Sequence, residues 1–257
     1  VVITRWYGIH RVRPLTTLTL VAGLASTIFA PIVAALIDQW GWRLSYIVIA
    51  VILAVITIPL HFFFLNSRWS PKQPTELKKS PHTSVQRVTR SKRFITLTIV
   101  MTVVSFTVTA VTINVVPLML ERGMSYTTAA WTLGLVGAGQ LIGRVGYAPL
   151  VRVTTPQSRL LIILVVATTS LWAMSLIPGP LWVLIFISVL AGGARGCHTL
   201  LQATAVSDRW GTENFGTLNA RFSAPMTFAG ALAPVAGPAI AQAVGGYAMM
   251  SLIMAAV

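Results

Sequence analysis

Long apolar runs broken by short polar segments organise this chain. Read as helix, roughly 20 apolar residues cross a bilayer core of about 30 Å. Runs of that length predict spans at 15–37, 44–65, 94–120, 126–151, 160–177, 181–206 and 217–244. An eighth begins near Tyr247 and reaches Val257, a helical rise of only about 16 Å, so it is expected to be cut short. The chain opens with Val1 at a helix end, and both ends predict an internal window of a longer polypeptide. The connections 38–43, 121–125, 152–159, 178–180, 207–216 and 245–246 are short, so consecutive helices are expected to be antiparallel neighbours. Pro178-Gly179-Pro180 is a hard stop between two of them.

Composition agrees. Of 257 residues, 55% are hydrophobic and 9% charged, against roughly 25% charged in a soluble domain. Mean hydropathy is +0.79. The expected class is an all-α integral membrane protein. Residues 66–93 form the one long polar segment, with three prolines and eight Lys/Arg, and read as a poor helix and a tether between two bundles. A basic tether beside a membrane also attracts anionic headgroups.

Charge gives the orientation. Fifteen Lys/Arg fall between spans on one face, and only Arg43 and Arg122 on the other. The positive-inside rule makes the first face, including 66–93, cytoplasmic. The formal net charge of +14 therefore reports topology, and no nucleic-acid partner is expected. The single cysteine, Cys197, lies inside a span. No Cys/His set has metal spacing, no cofactor is expected, and no nucleophile–base pair or carboxylate pair suggests an enzyme.

An internal repeat sharpens the plan. "APIVAALIDQ" from Ala30 matches "APVAGPAIAQ" from Ala233 at Ala30/Ala233, Pro31/Pro234, Ile37/Ile240 and Gln39/Gln242. One residue further in offset, Arg5-Trp6 meets Arg209-Trp210 and Gly41 meets Gly245. Six spans separate the copies, the signature of two related six-helix halves used by secondary transporters. The expected division is the end of an N-terminal half over 1–65, a linker over 66–93, and a C-terminal half over 94–257.

"RWYGIHRVRPLTTLTLVAGLASTIFAPIVAALIDQWGWRLSYIVIA", "GLVGAGQLIGRVGYAPLVR" and "DRWGTENFGTLNARFSAPMTFAGALAP" together resemble the major facilitator superfamily, in its fifth and sixth spans, eighth span with following loop, and eleventh span with the loop before it. The resemblance covers essentially the whole chain and implies alternating-access transport by a truncated bundle of two six-helix halves. The family's cytoplasmic loop motif carries an aspartate where this chain has Val151. The Arg-rich entry to the first span, and Arg144 in the span at 126–151, are similar to monocarboxylate porters. Those porters carry an aspartate at the place of Gln140.

Within the spans, Arg195 carries the most information. A charge near mid-depth costs roughly 2.5–3.5 kcal/mol on insertion scales and normally faces the bundle interior or a wet cavity. On a helical wheel Ser188, Gly192, Arg195, His198, Thr199 and Gln202 share one face. Arg195 then reads as a guanidinium fork for an anionic substrate, or as a structural arginine satisfied by carbonyls or a carboxylate. His198, one turn on, could bind substrate, relay a proton, or be held in place by a hydrogen bond. Gln140 and Arg144 share a face with Gly137. Arg144 and Arg152 read as gate or latch residues, since the family's loop motif uses basic residues there. Asn114 and Thr107 lie on one face, either lining the path or bonding between helices. Asp38, Glu121, Asp208 and Glu213 all sit at span ends or in loops, so a proton-coupling carboxylate is expected outside this window. Pro31, Pro117, Pro225, Pro234 and Pro238 are expected to interrupt helices. "GAGQLIG" at 137–143 lacks the strand–turn–helix setting of a dinucleotide loop. Gly139/Gly143 and Gly192/Gly196 are instead small-residue faces for close helix contact.

The expected function is ion-coupled symport, with H+ as the candidate ion, of a small organic anion across the plasma membrane by a monomer. Arg195 is the anchor, with His198, Gln202, Gln140 and Asn114 nearby. The alternatives are an exporter of hydrophobic compounds and, from another class, a non-transporting or inactive truncated membrane protein.

Overall fold

The computed structural model describes residues 12–64, 85–212 and 214–256. Among them every regular element is an α-helix: α1 Val12–Phe64, α2 Val85–Thr89, α3 Lys92–Ile113, α4 Val115–Glu121, α5 Tyr126–Val153, α6 Pro156–Leu176, α7 Leu181–Trp210, α8 Phe215–Val244 and α9 Tyr247–Ala256. The expected spans from 94 onward coincide with α3 plus α4, α5, α6, α7 and α8, their ends differing by about one turn at most. Five described stretches are long and apolar enough to cross a membrane: Gln39–Phe63, α3, α6, α7 and α8. Leu161, Val165, Trp182, Phe186, Phe228 and Val235 are exposed on these helices. That is a surface suited to lipid and costly in water.

The chain divides into two compact units, Val1–Leu20 with Thr83–Val257, and Val21–His82. In the second unit Gly41 interrupts α1 with φ 70 and ψ 165, a conformation glycine adopts without the Cβ penalty. This residue stands where the expected turn 38–43 was centred. Ser45 Oγ donates to the Gly41 carbonyl at 2.7 Å, and the Arg43 guanidinium lies over the Trp42 ring at 4.4 Å.

The first unit corrects part of the tether reading. Residues 65–84 lie outside the described set, but 85–93 are not a poor helix former: α2 occupies 85–89 and α3 starts at Lys92. Val88 is buried, and Ser91 caps α3 by accepting from the Phe94 amide at 3.3 Å. The buried apolar residue and the cap outweigh the weak local composition.

Helix ends in this unit follow local chemistry. Ser125 caps α5 and Thr155 forms a capping box with Ser158 on α6. Gly245 ends α8 at φ 88, so the two glycines paired by the sequence repeat, Gly41 and Gly245, both hold positive φ. Pro117 breaks a helix as expected: α3 ends at Ile113, the residue whose carbonyl a proline four positions on cannot serve. Pro225, Pro234 and Pro238 do not. All three lie inside the continuous α8, because neighbouring backbone hydrogen bonds hold the helix where no water competes.

Two adjacent residues at one end of the bundle serve opposite helix termini. The Arg122 guanidinium donates to the carbonyls of Met174, Ser175 and Ile177 at the end of α6, a cation at the negative end of a helix dipole. Burial lowers the Arg122 pKa, and the Glu121 charge opposes that shift. Glu121 Oε2 accepts from the Tyr247 amide at 2.7 Å, at the positive end of α9.

Candidate functional site

The candidate residues sit around the crossing of α5 and α7, which glycines allow. A Cβ on Gly139 would fall on the Val189 carbonyl, and one on Gly143 on the Gly193 carbonyl. Reciprocally, a Cβ on Gly192 would meet the Val136 carbonyl and one on Gly196 the Gln140 carbonyl. The small-residue faces expected at Gly139/Gly143 and Gly192/Gly196 therefore interlock, backbone against backbone. Cys197 Sγ adds a hydrogen bond to the Gly143 carbonyl at 3.1 Å.

Burial divides the polar stripe of α7. Ser188 is fully buried and its hydroxyl donates to Leu184 within the helix. His198 is 4% exposed, and its Nε2 is buried without a hydrogen-bond partner among the described residues. Arg195, Thr199 and Gln202 are half-buried along the neighbouring edge. Arg195 has no hydrogen-bond or ion-pair partner among the described residues. It lies within electrostatic range of Arg144 on α5 and of His198 on its own helix.

Arg144 reaches the other way. Its Nη1 donates to the Thr19 carbonyl of α1 at 2.7 Å, while its Nε is buried with no hydrogen-bond partner among the described residues. Gln140, one turn earlier on α5, has its backbone under Gly192 and Gly196. The structure thus places Gln140 and Arg144 on α5 beside the crossing, with Arg195 within electrostatic range of Arg144, His198 one turn on from Arg195, and Gln202 two turns from Arg195 along α7.

The remaining candidates lie elsewhere. Asn114 is buried at the break between α3 and α4; its Nδ2 donates to the Ala110 carbonyl at 2.8 Å and packs where a Cβ on Gly237 would sit. Neither partner belongs to α7. Thr107 donates to the Met254 carbonyl at 3.3 Å, a bond between helices. Arg152 is exposed in the last turn of α5. His61, on α1, pairs within its own helix with the Thr57 carbonyl at 2.8 Å.

Sequence reasoning missed a buried ion pair. Arg159, at the start of α6, is 3% exposed and donates to Asp208 Oδ2 near the end of α7 at 3.0 Å. Its guanidinium lies 5.6 Å from the Tyr147 ring centre. Tyr147 in turn shares a 2.8 Å hydrogen bond with Thr204. Both charged residues were assigned to loops, and their separation of 49 positions carries no periodic signal. Among the described residues no His/Cys/Asp/Glu group is arranged to hold a metal ion.

The arrangement brings two guanidinium groups and an imidazole within electrostatic range along α7, while the described carboxylates Glu121 and Asp208 are engaged at helix ends. Such a site attracts anions. No curated protein matches the chain significantly. The Major Facilitator Superfamily model matches residues 1–213, a stretch that contains α1 through α7 and the whole α5–α7 crossing. With its apolar helices, lipid-suited surface and glycine-packed crossing, the chain belongs to the Major Facilitator Superfamily, a family of multi-pass membrane transporters.

Proposed function

We propose that the protein is a secondary active transporter that moves a small organic anion, with a monocarboxylate as first candidate. Movement is by alternating access, in symport with H+, across the plasma membrane. Arg195 is the anchor. The observation that carries this reading is a mid-helix guanidinium without a described counter-charge, grouped with Arg144 and His198. Uncompensated charge inside a membrane helix is expensive, and an anionic substrate offsets that cost at the point of binding. Gln140 contributes from the crossing, His198 from one turn beyond Arg195, and Gln202 extends the polar edge; Asn114, bonded to Ala110 at the α3–α4 break, lies apart from it.

Arg144 serves as a latch in this scheme. Its hydrogen bond to the Thr19 carbonyl ties α5 to the first turns of α1, a link that one conformational state makes and another breaks. Arg152 supplies a second basic contact at the end of α5. The chain's organisation follows the same reading: 1–65 as the end of one helical half, 66–93 as a cytoplasmic linker, and 94–257 as the other half. The positive φ of both Gly41 and Gly245 supports the repeat behind that division.

The test is uptake into proteoliposomes of a panel of labelled small carboxylates under an inward proton gradient, beside Arg195→Gln. The wild type takes up at least one acid saturably. Arg195→Gln lowers that uptake roughly ten- to a hundred-fold, the loss of one charge-assisted hydrogen-bond set. Unchanged uptake in a folded variant makes Arg195 structural. No uptake of any acid by folded wild type overturns the anion reading, and lipophilic cations become the next panel.

A further inference from the structure

A groove of about 730 Å³ opens where the start of α3 meets the start of α6 and the end of α7. Its rim carries Lys92, Arg93 and Arg209. Below the rim its wall is Leu97, Val100 and Leu160. We infer that this groove binds an anionic phospholipid, with the phosphate against Lys92, Arg93 and Arg209 and an acyl chain along the apolar wall.

Arg209 is positioned for the role. Its Nη1 donates to the Ala205 carbonyl at 3.2 Å and its Nη2 to the Pro156 carbonyl at 2.9 Å. These bonds fix the guanidinium while leaving other donors of its fork. Asp208 also lines the groove, but its carboxylate is paired with the buried Arg159 at 3.0 Å. The rim therefore keeps a net positive charge. Trp210 completes one side, its ring held edge-on to Phe94 at 5.3 Å. Indoles and basic side chains at the end of an apolar helix mark the headgroup level of a bilayer.

One feature favours a lipid over a soluble phosphate: the groove continues from the charged rim along a membrane-spanning helix, from Lys92 to Val100, and a free anion would use only the rim. The inference needs only the membrane setting and does not depend on the transported substrate.

Native mass spectrometry of the purified protein in a neutral detergent, titrated with phosphatidylglycerol or phosphatidylcholine, tests it. The wild type is expected to retain phosphatidylglycerol at least ten-fold more tightly than phosphatidylcholine. The K92Q/R93Q variant loses that preference. Thr96 also lines the groove, and Thr96→Trp, which narrows it without changing charge, weakens retention to a similar degree. R13Q/R43Q removes two exposed positive charges elsewhere and retains lipid as the wild type does. Equal losses in K92Q/R93Q and R13Q/R43Q would reduce the effect to bulk charge and overturn the site. Equal retention of the two lipids, or no effect of either groove variant, overturns it as well. Displacement of the lipid by an equal concentration of inorganic phosphate would assign the rim to a soluble anion instead.

Discussion

Gly143→Leu yields no monodisperse protein, whereas Gly146→Leu, three residues along the same helix, folds like the parent. A Cβ at 143 meets the Gly193 carbonyl of α7, a backbone atom that no rotamer change can move. A Cβ at 146 meets nothing within 4 Å. Overpacking a well-packed core typically costs about 1–3 kcal/mol through side-chain shifts. Here α5 and α7 must separate, and three further glycines, Gly139, Gly192 and Gly196, lose their fit together, so the loss exceeds that range. The single-methyl pair grades the effect. Gly143→Ala lowers the melting temperature in detergent by several degrees, and Gly146→Ala leaves it unchanged or raises it, since alanine is the better helix former by about 1 kcal/mol. Size-exclusion profiles and thermal melts of the four variants check this. Equal behaviour at 143 and 146 would mean that the close crossing does not hold the bundle.

The second large effect belongs to Arg159 and Asp208. Asp208→Ala leaves a guanidinium that is 3% exposed without its carboxylate, and arginine cannot shed its charge. Breaking a buried pair this way typically costs about 3–5 kcal/mol. Arg159→Ala costs less, because the Asp208 side chain is 14% exposed and closer to solvent. The cation–aromatic contact with Tyr147 supports Arg159 but does not replace its counter-ion. R159L/D208L removes both charges at similar volume and recovers most of the stability lost in Asp208→Ala. Thermal melts of Arg159→Ala, Asp208→Ala and R159A/D208A form a cycle that isolates the pair, with R159L/D208L as the volume-matched comparison. Additive losses, with no recovery in the double variant, would show that the two residues do not act together.

Much of this fold was legible because membrane helices announce themselves locally. Length and hydropathy located α3 to α8, Pro178-Gly179-Pro180 separated α6 from α7, and the glycine spacing on α5 and α7 foretold their backbone contact. Each signal lies within about one turn or one span of what it governs. The pieces that stayed hidden are tertiary. Arg159 with Asp208, Arg122 with the end of α6, and Glu121 with Tyr247 join residues 49 to 126 positions apart. All three satisfy a charge or a helix end by a partner that periodicity cannot name. The prolines of α8 misled for a related reason, since proline weakens a helix in water more than in a packed membrane setting. At the candidate site, the helical wheel put Arg195 and His198 on one broad face. It could not show how burial divides that face, with His198 4% exposed and Arg195, Thr199 and Gln202 half-buried.

Under the proposed function, position 195 faces an aqueous path used by an anion. The most direct measurement is cysteine accessibility in membranes, with Arg195→Cys and, as a lipid-facing reference, Phe186→Cys. Both are built on Cys197→Ser, which keeps a donor for the Gly143 carbonyl now served by Cys197. A membrane-impermeant cationic thiol reagent is predicted to label position 195 and to spare position 186, which is exposed on an apolar surface. Because Arg195→Cys removes the anchor itself, protection is read at Thr199→Cys, one turn on along the same half-buried edge with Arg195 retained. The carboxylate most active in uptake is predicted to slow labelling at 199 in proportion to its occupancy. Labelling at 186 but not at 195, or labelling at 199 that no carboxylate slows, would overturn this reading.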